Sequence, residues 1–182
     1  MAEQSNDRRW ADMKARLKTH DRDSLLTLVH DLYELNSDNR RFIHARLAGS
    51  PEQLATYKRL VADAIFPDIF SRKRVRVGEA QRLIREFEKA SADAAGTVDL
   101  MLTFLEKGTE QIVFTGYDDE AYFGALERMI DTVVKRIRDL PIELHRESIR
   151  RFSGIVKRGA SIAWGYGEHL RDAAAGLSKP SS

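Results

Sequence analysis

The chain has 182 residues, of which 42% are hydrophobic and 32% charged, and a net charge of +2. That length suits one domain, and that composition suits a soluble helical protein with a real core. The near-balanced charge points to neither nucleic acid nor membrane. With no cysteine, disulfides, Cys-ligated zinc and thiol nucleophiles are excluded.

Residues 1–7 are polar and read as a frayed end. A first helix follows from about Arg8 to Lys18, with Trp10, Met13 and Leu17 on one side. The stretch Asp21–Leu47 then reads as two amphipathic helices joined by a tight connection. Leu25, Leu28, Val29, Leu32 and Leu35 share one helical face. Asp21 is the expected N-cap, Asn36 the expected left-handed end, and Ser37 the cap of the next helix. Phe42, Ile43 and Ala45 are expected inward, and Arg40, Arg41 and His44 outward. A connection this short makes the pair antiparallel neighbours, with Leu32 fully buried.

Ser50-Pro51 is a helix start, with serine as cap and proline at the first helical position. Leu54, Tyr57, Val61, Ala64 and Ile65 form its buried face, and Pro67 ends it. The irregular segment Asp68–Gly78 holds Arg72, Lys73, Arg74 and Arg76. Helix resumes near Glu79 with Ala80, Leu83, Ile84 and Phe87 inward, and breaks at Ser91–Gly96. The next helix carries Val98, Met101, Leu102 and Leu105 and runs through Gly108 to Phe114. Gly116 closes it, and Asp118 or Asp119 caps the following helix. There Phe123, Leu126, Ile130, Val133, Ile137 and Leu140 alternate threes and fours, giving a continuous packing seam. Pro141 starts a helix with Ile149, Phe152 and Val156 inward, broken by Gly159. A last helix holds Ile162, Tyr166, Leu170 and Ala173, with order ending at Gly176 and residues 177–182 as a tail.

These elements predict an all-α single domain of eight or nine antiparallel helices. Their connections are short, and no 34- or 40-residue repeat is visible. Successive hairpins would stack as an irregular α-α superhelix of the armadillo or HEAT kind; a closed helical bundle is the alternative. Four prolines and few β-branched alternations argue against sheet. The residues MAEQSNDRRW lack an apolar secretory core, and no apolar run approaches a membrane span, so the expected location is cytoplasmic.

The stretch DRDSLLTLVHDLYELNSDNRRFIHARL resembles the opening of a family of small, all-helical bacterial proteins of unknown function, in which a pair of helices with an LYELN…RRF pattern follows a short first helix. The segment WGYGEHLRD, Trp164 to Asp172, is similar to that family's closing Trp-Gly-aromatic helix. The resemblance covers the two ends of the chain. It implies a helical bacterial protein and carries no catalytic or binding residues with it.

Motifs for chemistry are few. His20, His30, His44, His145 and His169 form no HExxH or Glu-x-x-His pair. Asp118, Asp119 and Glu120 are explained by the preference of a helix N-terminus for acidic groups. Neither a P-loop nor GxGxxG is present, so nucleotide binding lacks its usual phosphate cradle, and the GxSxG of a serine hydrolase is missing. The reading is therefore a non-enzymatic protein with no cofactor and no metal, binding another protein or itself through a helical surface. The candidate interaction residues are Trp164, Tyr166 and His169. Nucleic acid is the alternative partner, held by Arg72, Lys73, Arg74 and Arg76 with the outward Arg40, Arg41, Arg150 and Arg151. No membrane is expected among the partners.

Overall fold

Every regular element among the described residues is an α-helix. The structure, a computed structural model, describes residues 2–48, 51–68, 70–71, 73–163 and 165–177. Length alone suggests one domain, whereas the contacts divide the chain into two compact units, one up to Leu47 and one from Ala48.

The first unit holds α1 (Ala2–Leu17), α2 (Arg22–Leu35) and α3 (Ser37–Ala48). Helix α1 reaches back to Ala2 rather than starting near Arg8, since alanine, glutamate and glutamine are good helix formers. Asp21 caps α2 as expected: its Oδ1 accepts from the Ser24 backbone N–H at 2.7 Å. That backbone bond holds the Asp21 carboxyl below its usual range. Asn36 does not take the left-handed conformation. It is extended, with φ of −163°, and its Oδ1 accepts from Asn39 N–H at 2.8 Å. Asn36, not Ser37, thus caps α3. Asn39 Nδ2 in turn donates to the Leu32 carbonyl at 2.7 Å, and Tyr33 Oη meets His44 Nε2 at 3.0 Å.

These polar links form a corner and not a core. No described side chain from Arg9 to Leu47 is buried. Leu32, expected in the core, is 44% exposed. Phe42 and Ile43 are half-buried, while Arg40 and His44 point outward as expected; the side chain of Ala45 lies outside the described residues. The correction has a simple cause. A segment this short has too little volume to cover every apolar stripe it carries.

The second unit contains α4 (Pro51–Ile65), α5 (Val77–Ser91), α6 (Ala94–Thr115), α7 (Glu120–Asp139), α8 (Ile142–Gly159) and α9 (Tyr166–Leu177). Tyr57, Val61, Ala64 and Ile65 of α4 are fully buried, and Pro67 follows the helix end. The expected cap Ser50 lies outside the described residues. Ala92, left-handed at φ of 53°, makes the corner after α5, and Asp93 Oδ1 caps α6 through the Gly96 N–H at 2.8 Å. Helix α6 runs unbroken through Gly108 and ends at Gly116, whose φ of 65° suits glycine. Asp119, the second of the two candidates, caps α7 through the Tyr122 N–H at 2.7 Å.

Helix α6 is the centre. Val98, Leu100, Met101, Leu102, Phe104, Leu105 and Ile112 are all buried. Helices α4, α5, α7 and α8 pack around it, and α9 closes over α7 and α8. Each substantial packing in this unit joins helices one or two apart in the chain, which suits a helical bundle as well as a superhelix. The seam read on α7 is buried from Phe123 to Ile137, with Leu140 just beyond the helix end. On α8, Phe152 is buried as expected and Ile155 joins it, while Ile149 and Val156 are half-buried.

The last helix starts later than its periodicity suggests. Ile162 lies in a turn closed by its own N–H on the Gly159 carbonyl at 3.1 Å, and α9 begins at Tyr166 after Gly165, with φ of 77°. Gly167 then allows the chain to touch itself. A Cβ there would sit 2.9 Å from the Ala160 carbonyl oxygen and 3.0 Å from that of Gly159. Backbone cannot yield as a side-chain end can, so Gly167→Ala is expected to destabilise by about 1–3 kcal/mol. Gly154, exposed inside α8, offers an added methyl open space, with nothing within 4 Å, so Gly154→Ala is expected to stabilise by about 0.5–1 kcal/mol. Thermal unfolding of the two variants should therefore move in opposite directions.

Candidate functional site

Helix α2 presents an apolar face without a layer over it in its own unit. Leu26, Leu28, Val29, Leu32 and Leu35 are each 40% exposed or more, and Leu25 and Tyr33 are half-buried beside them. On α1, Trp10 and Met13 are exposed as well. The helix itself is well built, since Asp21 closes its first turn. Burying so many branched side chains against a partner would remove a large apolar area from water. Sequence reasoning found this face but assigned it to the core, because periodicity marks a stripe and does not say what covers it.

The basic segment is less free than its composition suggests. Lys73 Nζ lies 3.2 Å from Asp63 Oδ1, and Arg76 Nη2 lies 3.0 Å from Asp63 Oδ2. Arg76 also reaches Glu79 at 3.2 Å. One carboxylate on α4 therefore holds two of the four cations. Arg74 has no partner among the described residues, and Arg72 lies outside them. Of the arginines expected outward, Arg41 is half-buried and pairs with Asp38 at 2.5 Å, while Arg150 is exposed and pairs with Glu147 at 2.8 Å.

Arg151 is not outward. Its guanidinium bridges α8 to α6, donating to Glu106 through Nε at 2.9 Å and through Nη2 at 2.7 Å. It also pairs with Asp99, which Lys58 of α4 meets at 3.0 Å. Burial works against the charge on Arg151, and the bonds from Glu106 and Asp99 outweigh it, so its pKa is raised. Around this network runs a groove of about 430 Å³ with Leu54, Leu102, Leu140 and Leu144 in its wall. Two cations face paired acids there, an arrangement that joins three helices.

At the closing helix the three candidate residues part company. Tyr166 is fully buried, not a surface contact. Its ring meets Phe123 edge-on at 5.9 Å, and its hydroxyl lies 2.8 Å from Thr109 Oγ1. Thr109 spends its own proton on the Leu105 carbonyl at 2.8 Å, so Tyr166 is the donor. Gly159 leaves the room for this packing, since a Cβ there would lie 2.5 Å from Leu170 Cδ1 and 3.4 Å from the Tyr166 ring. His169 is half-buried and contacts Asp131 at 2.8 Å. Trp164 lies outside the described residues. Residues 160–163, which precede it, are not helical.

Two further histidines are engaged locally. His20 contacts the Arg16 carbonyl at 3.0 Å, and His145 the Leu140 carbonyl at 2.7 Å. Among the described residues no three His, Asp or Glu side chains gather as metal ligands would. Asp118 and Glu120 line a cleft of about 710 Å³ with Glu127 and Arg128 at the start of α7. No described helix is long and apolar enough to cross a membrane. Compared with protein-family models, with curated proteins and with solved structures, the chain finds no match.

Two outcomes follow from these contacts. Removing Arg151 strips Glu106 of both its bonds, so Arg151→Ala should cost about 1–3 kcal/mol in chemical denaturation. Burial pushes the Tyr166 hydroxyl up to about 12, whereas in the unfolded chain a tyrosine ionises near about 10. The raised value means that this stability is complete below the unfolded pKa and is lost as pH climbs through the folded one. Denaturation midpoints should hold steady to about pH 10 and fall towards about 12. In Tyr166→Phe the fall should be shallower, with the burial of Tyr122 supplying what remains.

Proposed function

We propose that this chain is a non-catalytic helical module that binds another protein through the apolar face of α2. The observation that carries the reading is that face: a capped helix with five large aliphatic side chains open to water. Exposed apolar patches on otherwise polar surfaces mark interaction sites. Leu25, Leu28, Val29 and Leu32 fall at i, i+3, i+4 and i+7, the anchor pattern of a helix laid into a hydrophobic groove. Between Asp21 and Leu35 the sequence carries four carboxylates, Asp21, Asp23, Asp31 and Glu34, against one arginine. The partner that fits is a protein with an apolar groove and a basic rim. The nucleic-acid alternative has less support, because Asp63 already occupies Lys73 and Arg76.

A photo-crosslinking residue placed at Leu32 in cells should yield one discrete adduct, and the same residue at Thr27 on the opposite face should not. Leu28→Asp should abolish the Leu32 adduct while far-UV circular dichroism stays unchanged. Equal crosslinking from both faces, or none from either, removes the proposal. Because Leu32 is not core, Leu32→Ala should alter stability by no more than about 0.5 kcal/mol.

A further inference from the structure

A cleft of about 440 Å³ opens between the α4–α5 connection and the end of α6, lined by Pro67, Asp68, Lys73, Arg74, Gln111 and Tyr117. Its unusual member is Gln111. The side chain is only 6% exposed, and its Oε1 is buried without a hydrogen-bond partner. Buried polar atoms are rarely left this way, because the lost hydration is uncompensated. The amide cannot relieve this by turning over. Its Nε2 donates to Thr115 Oγ1 at 3.2 Å, and Thr115 has committed its only proton to the Gln111 carbonyl at 2.7 Å. Thr115 Oγ1 can therefore only accept, which makes Oε1 the free end.

Three further residues line the same cleft. Arg74 is exposed and has no partner among the described residues. Lys73 stands beside it, shared with Asp63 at 3.2 Å. Tyr117 contributes a half-buried ring, held edge-on by Tyr122 at 4.9 Å. Asp68 adds one carboxylate, but its Oδ1 is tied into its own turn by the Phe70 N–H at 3.0 Å.

We infer that this cleft is a binding site for a small planar ligand that carries an N–H donor and a phosphate, the chemistry of a nucleoside monophosphate. The ring stacks on Tyr117, its N–H donates to Gln111 Oε1, and its phosphate meets Arg74 and Lys73. Stacking and guanidinium–phosphate contact are each common means of holding such groups. The cleft volume lies within the range of small-molecule sites. The inference concerns a different surface from α2 and stands apart from the protein-binding reading.

The test is a titration of the full chain, labelled with ¹⁵N, with AMP, GMP, CMP and UMP, their nucleosides, and inorganic phosphate. At least one nucleotide should shift the Gln111 side-chain amide and the Tyr117 backbone amide saturably. Its nucleoside should bind more weakly at the same resonances. Arg74→Ser, an exposed change, should weaken the nucleotide about tenfold and leave the nucleoside unaffected. Gln111→Leu should weaken both by about five- to tenfold without lowering the thermal midpoint, because it removes an unpaired buried acceptor. Inorganic phosphate binding as tightly as every nucleotide would overturn the inference, since the cations alone would then account for it. So would the absence of any saturable shift at Gln111, which would leave water as the occupant of Oε1.

Discussion

A helix that is apolar around most of its circumference is stable only if those faces are covered, and α6 imposes that demand on the second unit. Asp99, Thr103, Glu106 and Glu110 recur at i, i+4, i+7 and i+11 as one narrow polar stripe, and apart from these and Lys107 every residue from Val98 to Ile112 is buried. Four helices meet the demand, and each sits where α6 offers a small residue or a complementary side chain. Gly108 admits Leu126 so closely that a Cβ would lie 2.4 Å from Leu126 Cδ2. The polar residues that α6 does bury are nearly all satisfied within the helix. Thr97, Thr103 and Thr109 donate to the carbonyls of Asp93, Asp99 and Leu105. Gln111 alone retains an unpaired atom, and it does so where the helix emerges from its cover.

The first unit shows the opposite balance. Helices α2 and α3 are capped by Asp21 and Asn36, and α2 carries an amphipathic stripe, yet no described side chain there is buried. Local interactions suffice to shape α2 and α3 at a corner: Asp21 on Ser24, Asn36 on Asn39, Tyr33 on His44. They do not supply a hydrophobic layer. Most helical stability in proteins comes from packing an amphipathic face, and the stripe of α2 lacks that packing: Leu26, Leu28, Val29, Leu32 and Leu35 stay exposed.

Charge is organised pairwise rather than as a field. Asp63 gathers Lys73 and Arg76, while Asp99 and Glu106 gather Arg151 and Lys58. Each acidic residue sits on α4 or α6 and draws a cation from another element, so the pairs also fix how those elements meet. A balanced net charge thus conceals local order. Among the described cations of the basic run, Lys73 and Arg76 share Asp63, and Arg74 is exposed.

Much of the fold was legible in the sequence because its causes are local. Helix periodicity, Pro51 and Pro67, the capping aspartates Asp21 and Asp119, and Gly116 act within a few residues, and each stands where its pattern indicates. The seam of α7 was readable for the same reason. Errors arose where the outcome depends on distant parts of the chain. Leu32 and Tyr166 have the same kind of pattern around them, but one is exposed and the other fully buried, because burial is decided by what lies across from a helix. Ile162 fits the periodicity of α9 but lies before it, since a close approach to the end of α8 sets the start of that helix. The pairing of Asp63 with two cations, and the meeting of Gln111 with Arg74 in one cleft, join a helix to a segment outside it. By itself the sequence determined which segments are helices and where they stop, since backbone and nearest-neighbour chemistry decide that. Only the tertiary structure decided which apolar faces are covered and which polar atoms remain unpaired, since those depend on packing across elements.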